Sequence, residues 1–188
     1  MVMPWDGQPF TREEHPAVAP VGGGRSALFV YTKDDLSIII LTNMMGGSPE
    51  GFTDEVAGYY IPEMHAANGF GLAPAVKKLR AELLKQGFNK AVTAASNLKK
   101  KDPAFSLKED DLNAWGYQLL NQKEIGKALS IFKLNVSLSQ SANTYDSLGE
   151  IQEMMGDTES ALVSYKKSLS LNPKNKNAEN RIKALSGR

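Results

Sequence analysis

Residues 112–132 read LNAWGYQLLNQKEIGKALSIF and form the first copy of an internal repeat. It returns 33 residues later, at residues 145–165, as YDSLGEIQEMMGDTESALVSY. The recurring positions are Leu112, Trp115, Gly116, Leu119, Ala128 and Phe132, which correspond to Tyr145, Leu148, Gly149, Gln152, Ala161 and Tyr165. The small residues allow paired helices to approach closely, and the large ones fill the space between adjacent units. Because a single helix pair cannot bury its apolar face alone, the period predicts several stacked pairs.

A weaker copy lies upstream, where Pro103 follows Ala91 by the same 12 residues that separate Pro173 from Ala161. Together the copies resemble the tetratricopeptide repeat (TPR) over about 100 residues. Three positions depart from that family's pattern: Asn135 and Ser168 replace a preferred alanine, and Gln140 replaces a closing proline. The predicted helix pairs are 74–102, 109–141 and 142–174, followed by a cap helix at 175–186.

The resemblance implies that the first helix of each pair lines a groove for a protein or peptide partner. By register, the groove residues are Asn113, Tyr117 and Asn121 in one repeat and Asp146, Glu150 and Met154 in the next. Family members that clamp a terminal carboxylate use lysine, arginine and asparagine there, whereas two of these residues are acidic and would repel it. We therefore predict a basic or apolar peptide segment as the partner. The alternative is a solvated helix face in an array that only caps a neighbouring domain.

The N-terminal part reads as a β-hairpin followed by a helix. Strands are predicted at 26–31 and 36–42, around a polar turn, and a helix at 49–60 ends before Pro62. The second strand is apolar at consecutive positions, which predicts a central strand buried on both faces. A lone hairpin is marginal in water and its edges invite self-association, so the back half, a second copy or a further N-terminal segment should cover it.

Residues 22–31, GGGRSALFVY, and residues 34–43, DDLSIIILTN, resemble the C-terminal end of serine β-lactamase-related hydrolases of the penicillin-binding-protein superfamily. The resemblance covers about residues 1–65 and implies a substrate-binding remnant at Gly22, Gly23, Gly24 and Arg25. The family's Ser-x-x-Lys and Tyr-x-Asn elements have no counterpart in this region. Two chance matches to Ser-x-x-Lys, at 96–99 and 164–167, lie in the helical half, so we predict no catalytic residues.

Composition narrows the function classes. The 188 residues include no cysteine and two histidines, so we predict no disulfide, no metal site and no cofactor. The net charge of +1 argues against a nucleic-acid partner, and no apolar run is long enough to span a membrane. By count, residues 1–65 carry 3 basic and 9 acidic residues, a net of −6, and residues 66–188 carry 19 and 12, a net of +7. The split predicts two modules joined by a linker at 66–73, which either attract each other or present separately solvated surfaces.

The predicted fold class is mostly α, with a TPR-like array of helical hairpins at 74–188 preceded by a small α+β fragment at 1–65. The predicted function is a non-catalytic protein-interaction or scaffold chain. The alternative is the C-terminal portion of a longer serine hydrolase. Without a signal peptide the chain is expected in the cytoplasm, and it would be periplasmic or extracellular as the tail of an exported hydrolase.

Overall fold

A computed structural model describes residues 2–4, 15–20, 26–42 and 52–187. The chain divides into two compact units, Met1–Ala73 and Pro74–Arg188. Residues 66–73, the predicted linker, fall within the first unit, where Phe70 packs against the core. No helix in these described ranges is both long and apolar enough to cross a membrane.

The first unit contains an antiparallel sheet with the strand order β1-β2-β3-β4. The strands are β1 (Val2–Pro4), β2 (Ala17–Pro20), β3 (Ser26–Tyr31) and β4 (Leu36–Leu41). The strands β3 and β4 correspond to the predicted hairpin, whereas β1 and β2 were not predicted. Both missed strands are short and end in proline, which hides the alternating pattern that identifies a strand.

The prediction that the last strand is central and buried on both faces is wrong. Among the described residues β4 pairs only with β3, and its burial alternates along the strand. The sheet's buried face packs Phe29, Tyr31 and Ile38 into the core, whereas Ile39 is 65% exposed and Leu41 78% exposed. Consecutive apolar residues predicted burial on both sides, but the pleat still points them to opposite faces, of which only one is covered.

The helix of this unit, α1, spans Thr53–Gly58, and residues 49–51 of the predicted helix lie outside the described ranges. Its buried residues are small: Thr53, Ala57 and Gly58. The aromatic residues at the two ends of this helix, Phe52, Tyr59 and Tyr60, are all exposed. Small residues on the inner face allow the helix to lie close to the sheet, and Tyr31 donates a hydrogen bond to Asp54 across this contact (2.9 Å).

In the second unit, every regular element within residues 74–187 is a helix. Its helices are α2 (Pro74–Gln86), α3 (Ala91–Lys101), α4 (Glu109–Asn121), α5 (Ile125–Leu138), α6 (Ala142–Met154), α7 (Thr158–Leu171) and α8 (Lys176–Ser186). Consecutive helices form three pairs, and α8 packs against α7. The fold is thus mostly α, a TPR-like array preceded by a small α+β unit.

The close helix approach predicted from the repeat is confirmed. A Cβ atom at Gly116 would lie 2.6 Å from the Phe132 ring, and one at Gly149 would lie 2.9 Å from the Tyr165 ring. Both aromatic rings are buried and fill the space that the missing side chain leaves. The same contact therefore joins α4 to α5 and α6 to α7.

The two positions where a polar residue replaces the family's alanine form equivalent hydrogen bonds. Asn135 donates a hydrogen bond from its amide to the carbonyl of Glu109 (3.0 Å), and Ser168 donates one to the carbonyl of Ala142 (2.7 Å). Each bond joins the second helix of a pair to the first residue of the preceding helix. The polar side chains therefore anchor the helix pairs at equivalent points one period apart.

Candidate functional site

A cavity of about 440 Å³ opens between α6, α7 and α8. We call it the α6 cavity, and its lining residues are Glu150, Glu153, Met154, Tyr165, Asn177 and Arg181. Two of the six predicted groove residues, Glu150 and Met154, therefore line it directly. Met154 is 57% exposed, so its thioether side chain is available to a ligand.

Asp146, one turn before Glu150, is hydrogen-bonded to residues at the start of the last helix, α8. Its Oδ1 accepts a hydrogen bond from Asn175 (3.0 Å), and its Oδ2 accepts one from Asn177 (2.8 Å). Asn175 also caps α8, because its side-chain oxygen accepts from the backbone of Ala178. Asp146 thus fixes the start of α8 against α6.

Glu150 is joined to α4 through Tyr117. The Tyr117 hydroxyl lies 2.6 Å from Oε2 of Glu150 and 3.2 Å from Oγ of Ser147. Burial, together with the hydrogen bond to Glu150, raises the pKa of Tyr117 to about 12. The hydroxyl is therefore neutral at physiological pH and donates its proton without cancelling the charge of Glu150.

Glu153 forms a forked ion pair in the cavity, a contact that the repeat pattern does not predict. Both of its oxygens accept hydrogen bonds from the guanidinium of Arg181 on α8, and Oε2 also accepts from the Tyr165 hydroxyl (3.2 Å). Burial raises the pKa of Tyr165 well above its usual range, and the carboxylates of Asp146 and Glu150 add to the effect. The forked geometry is the one that arginine and carboxylate favour.

A sequence signal exists for Glu153 but not for its partner. Glu153 lies three residues after Glu150 and therefore shares its helix face. Arg181 was assigned to a cap helix, but α8 occupies the place of a first helix in a further pair, and such helices line the groove. Adding the 33-residue period to Asp146 and Glu150 gives Glu179 and Lys183, so the register alone does not identify Asn177 or Arg181.

The remaining predicted groove residues lie outside the α6 cavity. Asn121 is exposed at the end of α4, and Asn113 is half-buried. The Oδ1 atom of Asn113 is buried and accepts no hydrogen bond from the described residues. The structure thus concentrates polar contacts on α6 and leaves the α4 asparagines out.

The start of α6, and with it the cavity, is positioned by Glu109 at the first residue of α4. Its carboxylate accepts hydrogen bonds from Ser139 (2.5 Å), Ser141 (2.8 Å) and Asn143 (3.1 Å). Ser141 is also the N-cap of α6 and forms a reciprocal capping box with Thr144. Partial burial acts to raise the pKa of Glu109, but the three hydrogen bonds outweigh it and hold that pKa below its usual range.

In the first unit, Gly22, Gly23, Gly24 and Arg25, the predicted substrate-binding remnant, lie outside the described residues. The hairpin predicted to support self-association presents an apolar surface, since Leu28 and Ile39 are paired in register and both are exposed. Self-association through that face stays a prediction.

No family model matches the chain, and no curated protein matches it. Among solved structures, it is 22% identical to the first TPR of Spaghetti (RPAP3) bound to an HSP90 peptide, over 60% of this chain and 90% of that chain, with a TM-score of 0.42. It is 20% identical to a double mutant of MamA RS-1, over 74% of this chain and 77% of that one, with a TM-score of 0.43. The second TPR domain of human RPAP3, in complex with an HSP70 peptide, is 14% identical over 61% and 93% of the two chains, with a TM-score of 0.41.

None of these matches is a β-lactamase-related protein, so the hydrolase resemblance of residues 1–65 stays a prediction. The fold assignment rests on the helix pairs and the repeated packing contacts described above.

Proposed function

We propose that the second unit is a protein-interaction module that binds a basic or apolar peptide segment in the α6 cavity and thereby serves as a scaffold. The observation that supports it best is the composition of that cavity. An exposed methionine lies beside the carboxylates of Glu150 and Glu153 in a space within the roughly 300 to 1,000 Å³ range of ligand pockets.

The framework of the cavity is held in place before any ligand arrives. Tyr117 fixes Glu150 from α4, and Arg181 fixes Glu153 from α8. Side chains that are already ordered lose less conformational entropy on binding, which favours affinity for a weakly interacting peptide. The polar contacts therefore support a binding surface as well as a stable fold.

The charge of the cavity favours one class of peptide. Glu150 and Glu153 are acidic, and Arg181 is the one basic residue among the lining side chains of this described region. Together with Asp146 the surface carries three carboxylates and one guanidinium. An acidic peptide end would be repelled, whereas a basic or apolar segment fits.

The test is a peptide array probed with the full chain. It contains matched sets of basic-apolar, neutral polar and acidic C-terminal peptides, and the affinities of hits are then measured by fluorescence polarisation. We expect enrichment of the basic-apolar set. Selection of acidic C-termini would contradict the charge argument, and binding of none of the sets would overturn the proposed function.

Two adjacent methionines give a matched pair of variants. Met154 lines the cavity, whereas Met155 is similarly exposed and does not. Met154→Arg should weaken binding at least tenfold, because a long cation then fills the cavity beside Glu150. Met155→Arg should change affinity less than twofold, and an equal loss in both variants would place the peptide elsewhere.

A further inference from the structure

The three carboxylates of α6 near the cavity, those of Asp146, Glu150 and Glu153, have different partners. Both oxygens of Asp146 accept amide hydrogen bonds from α8, and both oxygens of Glu153 accept from Arg181. Glu150 accepts only the Tyr117 hydroxyl, at Oε2, and within the described residues its Oε1 accepts no hydrogen bond. Of the three carboxylates, Glu150 is thus the one with an oxygen atom, Oε1, that can still accept a hydrogen bond from a ligand.

The partner of Glu150 also leaves its charge uncompensated. Tyr117 is a neutral donor, so it orients the carboxylate without adding a positive charge. In the described part of the chain no lysine or arginine lies within ion-pair distance of Glu150, whereas Glu153 is paired with Arg181. A half-buried, oriented and unpaired carboxylate at the wall of a cavity attracts one cation.

The neighbouring side chain suits the rest of a basic residue. Met154 follows Glu150 by four residues, so the two lie on the same face of α6, and both line the cavity. The exposed thioether can pack against the aliphatic stem of a lysine or arginine while the head group reaches the carboxylate. Arg181 already shows how this helix face accepts a guanidinium through Glu153.

We propose that Glu150 and Met154 form a pocket for a single lysine or arginine side chain of the bound peptide. Glu153 does not take part, because it is already paired with Arg181. Specificity then comes from one position in the ligand and not from its total positive charge. This inference rests on the proposed function, because it assumes that a peptide enters the α6 cavity.

The experiment uses the tightest peptides from the array described above. Each basic residue is replaced in turn by its neutral isostere, citrulline for arginine and acetyl-lysine for lysine, and binding to the full chain is measured. Exactly one replacement per peptide should weaken binding about tenfold, since a charge-assisted hydrogen bond is lost, and the others less than twofold. Equal losses at several positions, or bound peptides without any basic residue, would overturn the inference while peptide binding itself stands.

The variant Glu150→Gln assigns the effect to the carboxylate. On this variant the sensitive replacement should cost less than about twofold, while Glu159→Gln, a charge-matched change on the exposed surface of α7, should keep the tenfold loss. An undiminished loss on folded Glu150→Gln would overturn the pocket. The isostere series on the unaltered chain gives its result even where the variant does not fold, and absence of all peptide binding would instead contradict the proposed function.

Discussion

The hydroxyl of Tyr117 on α4 lies 2.6 Å from Oε2 of Glu150 on α6, and this bond joins the first helices of two successive pairs. Both residues belong to the groove that the repeat register predicts for a partner. The structure shows that they also bind each other, so the same side chains stabilise the array and shape the candidate site.

Removing this bond should lower stability. Tyr117→Phe deletes a half-buried hydroxyl that donates to a charged acceptor, so we expect a loss of about 1.5 kcal/mol in the free energy of unfolding. The measurement is urea denaturation of the full chain followed by circular dichroism at 222 nm. That signal reports the helical unit.

The matched control is Tyr145→Phe. Tyr145 is also half-buried, but its hydroxyl forms no hydrogen bond with the described residues. Tyr145→Phe should therefore change the free energy of unfolding by less than about 0.5 kcal/mol. If the two variants behave alike, the interhelical bond contributes nothing specific.

The glycines at the helix contacts should tolerate no side chain. A Cβ at Gly116 would lie 2.6 Å from ring atoms of Phe132, so Gly116→Ala should destabilise the chain by about 2 kcal/mol through overpacking. Gly149→Ala, at 2.9 Å from the Tyr165 ring, should show the same sign with a smaller magnitude. Urea denaturation again gives the measurement.

Gly126 offers the opposite case in the same helical unit. A Cβ at this position in α5 would meet nothing within 4 Å. Because alanine favours the helix over glycine, Gly126→Ala should stabilise the chain by about 0.5 to 1 kcal/mol. A loss of stability there would show that helix propensity does not govern this exposed turn.

The fold was predictable from the sequence at positions where the residue type itself indicates a particular packing contact. The helix pairs were identified by the period of Gly116, Phe132, Gly149 and Tyr165. A glycine that recurs at a fixed distance from an aromatic residue indicates that two helices pack closely at that point. The groove was less predictable, since the pairing of Glu153 with Arg181 depends on how α8 packs, which a local pattern does not contain. Likewise, the consecutive apolar residues of β4 could not reveal which face of the sheet is covered.

Ser168 should be more sensitive than its position near a helix end suggests. Its Oγ donates to the carbonyl of Ala142 at 2.7 Å and accepts from Asn175 at 2.8 Å, so it joins α7, α6 and the start of α8. Ser168→Ala introduces the residue that the family prefers and still should cost about 1 to 2 kcal/mol, since two partly buried hydrogen bonds are lost.

The control for this change is Ser170→Ala on the exposed side of the same helix. Among the residues that the structure describes, Ser170 bonds only the carbonyl of Lys167 in its own turn, so its replacement should change the free energy of unfolding by less than about 0.5 kcal/mol. If Ser168→Ala stabilised the chain, the family preference for alanine would outweigh the local network.

Glu109 should make stability depend on pH. Its pKa in the folded chain is lowered by hydrogen bonds from Ser139, Ser141 and Asn143, which outweigh the opposing effect of partial burial. A carboxyl group with a lowered folded pKa contributes stability that is fully present above the unfolded value of about 4.3 and is lost as the pH falls through the folded value. Glu109→Gln should therefore cost about 1 kcal/mol at pH 7, a modest figure because the group is partly exposed to solvent.

Below that folded value, the difference in unfolding free energy between Glu109→Gln and the unaltered chain should shrink, because the carboxyl group is then protonated and neutral in both states. Urea denaturation at pH 7, 5 and 3 gives the comparison. Asp110→Asn removes a neighbouring charge from the same first turn of α4, where no described residue binds the side chain, and it should show a smaller cost. A cost for Glu109→Gln that is equal at pH 7 and pH 3 would mean that shape, and not the charge-assisted hydrogen bonds, determines its contribution.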